Sequence, residues 1–249
     1  MKLIIDYGNT FVKLALFQED SIISIKSCNS TATKEVIDLL RNVNKNSDFA
    51  NIINNAIVSS VINYPEDVKS WLNQEFNLLE LDTSTLLPIT LNYKTLETLG
   101  KDRIALAVAA AQLYPHKNVL IIDAGTCITY DFIDKHKEYQ GGSISPGIQM
   151  RFKALNTFTD KLPLINPTDN VELLGKSTSE SISSGVMNGV YSEIDGIIDK
   201  YKINFPDIEV ILTGGDIIYF DKKLKNNIFA NSNLVLKGLN MILDYNAGK

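Results

Sequence analysis

Apolar residues fall in short blocks along the first thirty positions, and each block predicts a strand. Leu3-Ile4-Ile5 ends at Asp6, the run Val12–Phe17 follows Gly8-Asn9-Thr10, and Ser21–Ser27 alternates apolar with polar at period two. From Thr33 to Val43 the spacing becomes helical, with Val36, Ile37, Leu39, Leu40 and Val43 on one side. Ala56–Val61 reads as a buried strand. Pro65–Phe76 reads as a helix with Pro65 in its first turn. Asp102–Tyr114 reads as an alanine-rich helix that stops before Pro115.

The pattern then begins again. Asn118–Ile122 leads into Asp123, Gly125 and Thr126, and Ile128–Ile133 and Tyr139–Ser145 follow as strands. Helices come next, the longest from about Thr178 to Tyr201, with Ile182, Val186, Val190, Ile194, Ile197, Ile198 and Tyr201 as its apolar stripe. Glu209–Thr213 is a further strand, closed by Gly214-Gly215, and Leu234–Leu243 is a last helix. Leu3-Ile4-Ile5-Asp6-Tyr7-Gly8-Asn9-Thr10 and Leu120-Ile121-Ile122-Asp123-Ala124-Gly125-Thr126 share a pattern: apolar strand, Asp, any residue, Gly, then Thr. Nearly half the chain separates the two copies. A duplicated unit explains that spacing and predicts two similar α/β halves, 1–115 and 116–249, facing each other across a cleft. The last helix either stays with its own half or packs back on the first.

Such a turn has definite chemistry. The strand delivers an acid to the sheet edge, glycine lets the backbone approach a ligand, and the following amides and hydroxyl donate to an anion. The carboxylate repels phosphate but can hold a cation that bridges to it. A single Asp-x-Gly is most often a plain turn. Two copies, each after an apolar strand, favour a polyphosphate gripped from both sides. Gly214-Gly215 would let a flat base lie against backbone. Rival nucleotide motifs fail. There is no G-x-G-x-x-G after a strand, and Gly175-Lys176-Ser177 lacks both the earlier glycine, since Asn170 stands there, and a preceding strand.

Composition narrows the classes. The 249 residues are 45% hydrophobic and 21% charged, enough apolar material for a core. The net charge of −5 argues against a general nucleic-acid binder. No run approaches the roughly 18 apolar residues of a membrane span, and the apolar stretch before Asp6 is too short for a signal peptide. Cys28 and Cys127 are far apart and form no CxxC, and His116 and His136 are the only histidines. Free thiols in a cytoplasmic protein, with no Cys/His metal cluster, are expected.

Taken together the motifs resemble those of the type III pantothenate kinases, a branch of the acetate and sugar kinase, Hsp70 and actin superfamily. Asp6-Tyr7-Gly8-Asn9-Thr10 is similar to that family's first phosphate motif, Gly100-Lys101-Asp102-Arg103 to its substrate motif, and Asp123–Thr129 to its second phosphate motif. Gly141–Gly147, Leu162-Pro163, Gly175–Thr178 and Thr213-Gly214-Gly215 fall in the family's order. The chain departs from it at Tyr7, Lys101, Ala124 and Cys127-Ile128.

The resemblance implies two ribonuclease H-like, actin-like ATPase halves around a central nucleotide cleft. It implies ATP-dependent phosphorylation of the primary hydroxyl of pantothenate, the first step towards coenzyme A. Asp6 would hold Mg²⁺ through water. Tyr7, Gly8, Asn9, Thr10, Phe11, Val12 and Lys13 would line the ATP phosphates, with Thr126 donating from the other half. Asp123 would help bind a monovalent cation, potassium or ammonium. Asp102 would be the general base, although an acid opening a helix also reads as an N-cap. Arg103 would attract the substrate carboxylate, or else make a surface ion pair. Tyr93, Gly100, Lys101 and Thr178 complete the expected substrate contacts, with Tyr93 otherwise a packed aromatic and Thr178 otherwise a helix cap.

Gly142, Pro146 and Gly147 are expected to shape a turn. Gly185 and Gly189 are expected to admit a close neighbour, internal or from a second copy in a homodimer. Three other readings stand beside the kinase: a nucleotide-gated regulatory ATPase, a phosphatase acting on polyphosphate, and a drifted non-catalytic paralogue.

Overall fold

The computed structural model describes residues 1–45, 53–60, 62, 64–220 and 222–247, without the side chains of residues 33 and 43–45. Val61, at the end of an expected strand, and the side chain of Val43 lie outside the described residues. The chain divides into two compact units, 1–113 with 234–249, and 114–233. The division thus falls at Leu113 instead of Pro115, and the last helix is counted with the first unit.

In the first unit, β1 (Lys2–Tyr7), β2 (Phe11–Gln18) and β3 (Ser21–Asn29) form an antiparallel meander. Helix α1 (Thr33–Lys45) leads to β4 (Asn55–Ser60), parallel to β1, and α2 (Glu66–Glu75) leads to β5 (Asn77–Glu80), parallel to β4. The sheet order is β3-β2-β1-β4-β5. The two-residue period sorts β1 by face. Leu3, Ile5 and Tyr7 join Val36 and Leu40 of α1 and Val68 and Leu72 of α2 in one core. Ile4 and Asp6 point to the opposite face. Each buried Leu or Ile contributes about 1.5–3 kcal/mol, so a one-residue slip that turned this face outward is excluded.

After β6 (Thr90–Leu91) and a 3-10 turn at Leu96–Thr98 comes α3 (Lys101–Leu113), in which every residue from Arg103 to Ala111 is buried. It packs against α6 (Leu234–Ala247), and α6 in turn packs on β1 and β4. A Cβ at Gly238 of α6 would collide with the Ala105 carbonyl oxygen, so the two helices meet at backbone contact.

In the second unit, β7 (Val119–Ala124), β8 (Cys127–Ile133) and β9 (Glu138–Pro146) form a second antiparallel meander. Helices α4 (Ile148–Thr157) and α5 (Thr178–Asn204) follow. Strand β10 (Glu209–Thr213) lies parallel to β7, and β11 (Phe229–Ala230) lies parallel to β10. Within this unit the strands run β11-β10-β7-β8-β9. Leu120, Ile122, Tyr130 and Phe132 pack against Ile148 and Phe152 of α4 and Val186, Val190, Ile194 and Ile198 of α5. Both units therefore open with the same device, a meander whose first strand ends in an acidic turn. Gly185 and Gly189 of α5 are exposed, and a Cβ on either would meet nothing within 4 Å. The internal neighbour expected there is absent among the described residues.

Candidate active site

In the first unit the site begins where β1 ends. Asp6 stands opposite Lys13 on β2 and Ser59 on β4. Burial lifts the Asp6 carboxyl to about 6, the Lys13 ammonium pulling it down and the Asp102 carboxylate pushing it up. The turn itself closes with the Gly8 amide donating to the Phe11 carbonyl at 3.0 Å. Ser30, 5% exposed, pins it from behind. Its hydroxyl donates to the Asn9 carbonyl at 2.6 Å and its amide to the Thr10 carbonyl at 3.0 Å. Asn9, Thr10 and Phe11 are exposed, while Tyr7 and Val12 bury their side chains in the core, leaving their backbones as the groups able to meet a phosphate.

Asp102 is the second residue of α3 and does not cap the helix from outside. Its Oδ1 accepts the Arg103 amide at 2.9 Å. Burial raises its pKa, offset in part by the amide and the charge of Arg103. A Cβ at Gly100 would collide with Asp102 Oδ1. Only glycine lets that carboxylate fold back, a physical reason for the Gly-Lys-Asp order. Lys101, the first residue of α3, is half-buried. Arg103 is 5% exposed, with Cζ 5.9 Å from the centroid of the Tyr93 ring, so its guanidinium is not a surface group.

In the second unit three turns converge. The Gly125 amide donates to the Cys127 carbonyl at 2.9 Å, and the Gly147 amide to the Thr126 carbonyl at 3.2 Å. A Cβ at Gly147 would collide with the carbonyl oxygens of Gly125 and Thr126. Gly214, at φ +102°, would with a Cβ strike the Ala124 carbonyl and the Asp123 carboxylate, so those two oxygens crowd one point. Thr126 is exposed and Ala124 is fully buried. At α5, Ser177 is the cap, its hydroxyl accepting the Glu180 amide at 3.3 Å, which releases the exposed Thr178 from the capping role weighed for it. Gly175-Lys176-Ser177 runs into α5 after α4, with no strand between them, so a Walker A loop is excluded.

A family model described as type III pantothenate kinase matches residues 2–200. The chain belongs to the type III pantothenate kinase family. A relative of that name from Christiangramia forsetii is 46% identical over 246 residues, 99% of each chain, and one from Bacteroides fragilis is 46% identical over the full length of both. Among solved structures, a Campylobacter jejuni protein assigned to the Baf family of transcriptional activators aligns with TM-score 0.64 at 22% identity, covering 99% of this chain and 100% of that one. An activator of 2-hydroxyisocaproyl-CoA dehydratase from Clostridium difficile aligns with TM-score 0.55 at 14% identity, covering 98% and 93%. These two likenesses concern fold alone, the actin-like ATPase and sugar kinase fold. This pantothenate kinase uses ATP to phosphorylate pantothenate on the route to coenzyme A. Ser30 escaped the sequence reading because it lies some twenty residues beyond the turn it fixes, and no local pattern marks it.

Proposed function

We propose that this kinase transfers the γ-phosphoryl group with Asp102 as general base and with both acidic turns serving one ATP. The observation that carries the reading is the start of α3, where a half-buried carboxylate of raised pKa stands beside a buried arginine. Asp102 accepts the proton of the primary hydroxyl as its oxygen attacks phosphorus. Arg103, steadied against Tyr93, matches the fork of the pantothenate carboxylate. Gly100 gives Asp102 its room, and Lys101 and the exposed Thr178 complete the substrate contacts. Exposed Asn9, Thr10 and Phe11, with the backbone from Tyr7 to Val12 and the Lys13 charge, cradle the phosphates, and Thr126 donates to them.

Among the described residues no cluster of three or more His, Cys, Asp or Glu could hold a metal. Asp6 alone fits a magnesium ion held through water and phosphate oxygens, which would neutralise charge on the leaving group. Asp123 and the Ala124 carbonyl, side by side at Gly214, form an oxygen pair suited to a monovalent cation. The two unpaired thiols, Cys28 and Cys127, accord with a cytoplasmic setting. We assign a homodimer as well. Phe158, Leu173 and Leu174 are 77–85% exposed, and α5 offers the open glycines 185 and 189 for close approach of a second copy.

The test is Asp102→Asn. It stays folded, with a melting temperature no lower than wild type, and keeps its ATP affinity but loses turnover by roughly 10²–10⁴. Unchanged turnover overturns the assignment.

A further inference from the structure

Behind the Gly125–Thr126 turn lies a network that the roles above leave unused. Arg151, on the first turn of α4, folds back onto the corner between β9 and its own helix. Its Nε donates to the Pro146 carbonyl at 2.8 Å and its Nη2 to the Ser145 hydroxyl at 2.9 Å. The same Nη2 donates to Glu193 Oε2 of α5 at 2.7 Å, and the Tyr130 hydroxyl of β8 donates to Glu193 Oε1 at 2.9 Å. Both charged side chains are largely buried, with 21% and 26% exposure. The pair is thus better shielded than an ordinary surface ion pair.

The corner it holds is the backing of the phosphate turn. Pro146 is the register partner of Cys127, and Gly147 donates to the Thr126 carbonyl and leaves no room for a side chain against Gly125 and Thr126. A shift of Pro146 therefore moves Thr126.

We infer that Arg151, held by Glu193 and Tyr130, is a positioning residue that fixes the Gly125–Thr126 turn for the ATP phosphates. The inference rests on the reading of Thr126 as a phosphate donor. A guanidinium suits the task because its planar fork reaches a carbonyl, a hydroxyl and a carboxylate together. A lysine keeps the charge but loses the fork.

The experiment compares wild type, Thr126→Ala, Arg151→Lys and the double variant by calorimetric titration with ATP, by both Michaelis constants and by melting temperature. Arg151→Lys weakens ATP binding about tenfold, the effect of moving a donor by a fraction of an ångström, and leaves KM for pantothenate within about twofold. Thr126→Ala weakens ATP binding too, and the double variant loses less than the product of the two. ATP affinity unchanged in Arg151→Lys, beside a weakened Thr126→Ala, overturns the inference alone, as does a parallel rise of both Michaelis constants. Unchanged affinity in Thr126→Ala overturns the phosphate reading and the inference with it. Should Arg151→Lys fail to fold, Ser145→Ala and Tyr130→Phe each loosen the hold on the pair without touching its charges and weaken ATP binding about threefold. Unchanged affinity in both overturns the inference.

Discussion

Burial of Asp6 has a thermodynamic consequence. Its carboxyl sits at about 6 in the folded protein against an ordinary 3.8. An acid whose folded pKa is raised favours the folded state while protonated, so stability falls as pH rises from about 4 through 6. Asp6→Asn removes the penalty. In urea denaturation of the ligand-free protein it gains up to about 3 kcal/mol at pH 7.5, and the gain disappears below about pH 4. An equal gain at both pH values would assign it to packing instead. Gly100 gives a second prediction at this scale. Gly100→Ala pushes a methyl group into Asp102 Oδ1. It lowers kcat by about a hundredfold with the fold intact, read from steady-state rates beside a circular dichroism melt. Asp6 and Asp123 were legible in the sequence because each ends an apolar strand two residues before a glycine, and Asp102 because Gly100-Lys101-Asp102-Arg103 resembles the family's substrate motif. Ser30, Arg151 and Glu193 were not, because their partners are distant in the chain and nothing local distinguishes them.

Elements with a clear period were read nearly to their ends. β1, β2, β7 and β10 carry compact apolar blocks, β3 an alternation at period two, and α5 a stripe at three and four. The four residues of β5 and the two each of β6 and β11 are too short to show a period, and only pairing defines them. Alanine content and Pro115 announced α3, yet not its surroundings. Its burial from Arg103 to Ala111 depends on α6, more than a hundred residues later. The crossing at Gly238 makes that dependence measurable. Gly238→Ala drives a Cβ into the Ala105 carbonyl and costs about 2 kcal/mol or more in chemical denaturation. A change below about 0.5 kcal/mol would mean that the helices separate freely.

For the whole molecule, the repeated acidic turn was the strongest signal in the sequence, and each unit supplies one of the two. The proposed dimer is motivated by the exposed apolar side chains of Phe158, Leu173 and Leu174. Light scattering after size exclusion gives twice the 27.7 kDa chain mass, and Leu173→Asp with Leu174→Asp gives the single mass. A monomeric wild type removes the dimer. The central claim is that both turns serve one triphosphate beside Asp102. A crystal structure with a non-hydrolysable ATP analogue, magnesium and pantothenate tests it most directly. The account predicts phosphate oxygens about 3 Å from backbone amides of both the Gly8–Thr10 and Gly125–Thr126 turns, with the pantothenate hydroxyl within hydrogen-bond reach of Asp102. A triphosphate held by one turn alone, or a hydroxyl far from Asp102, contradicts it.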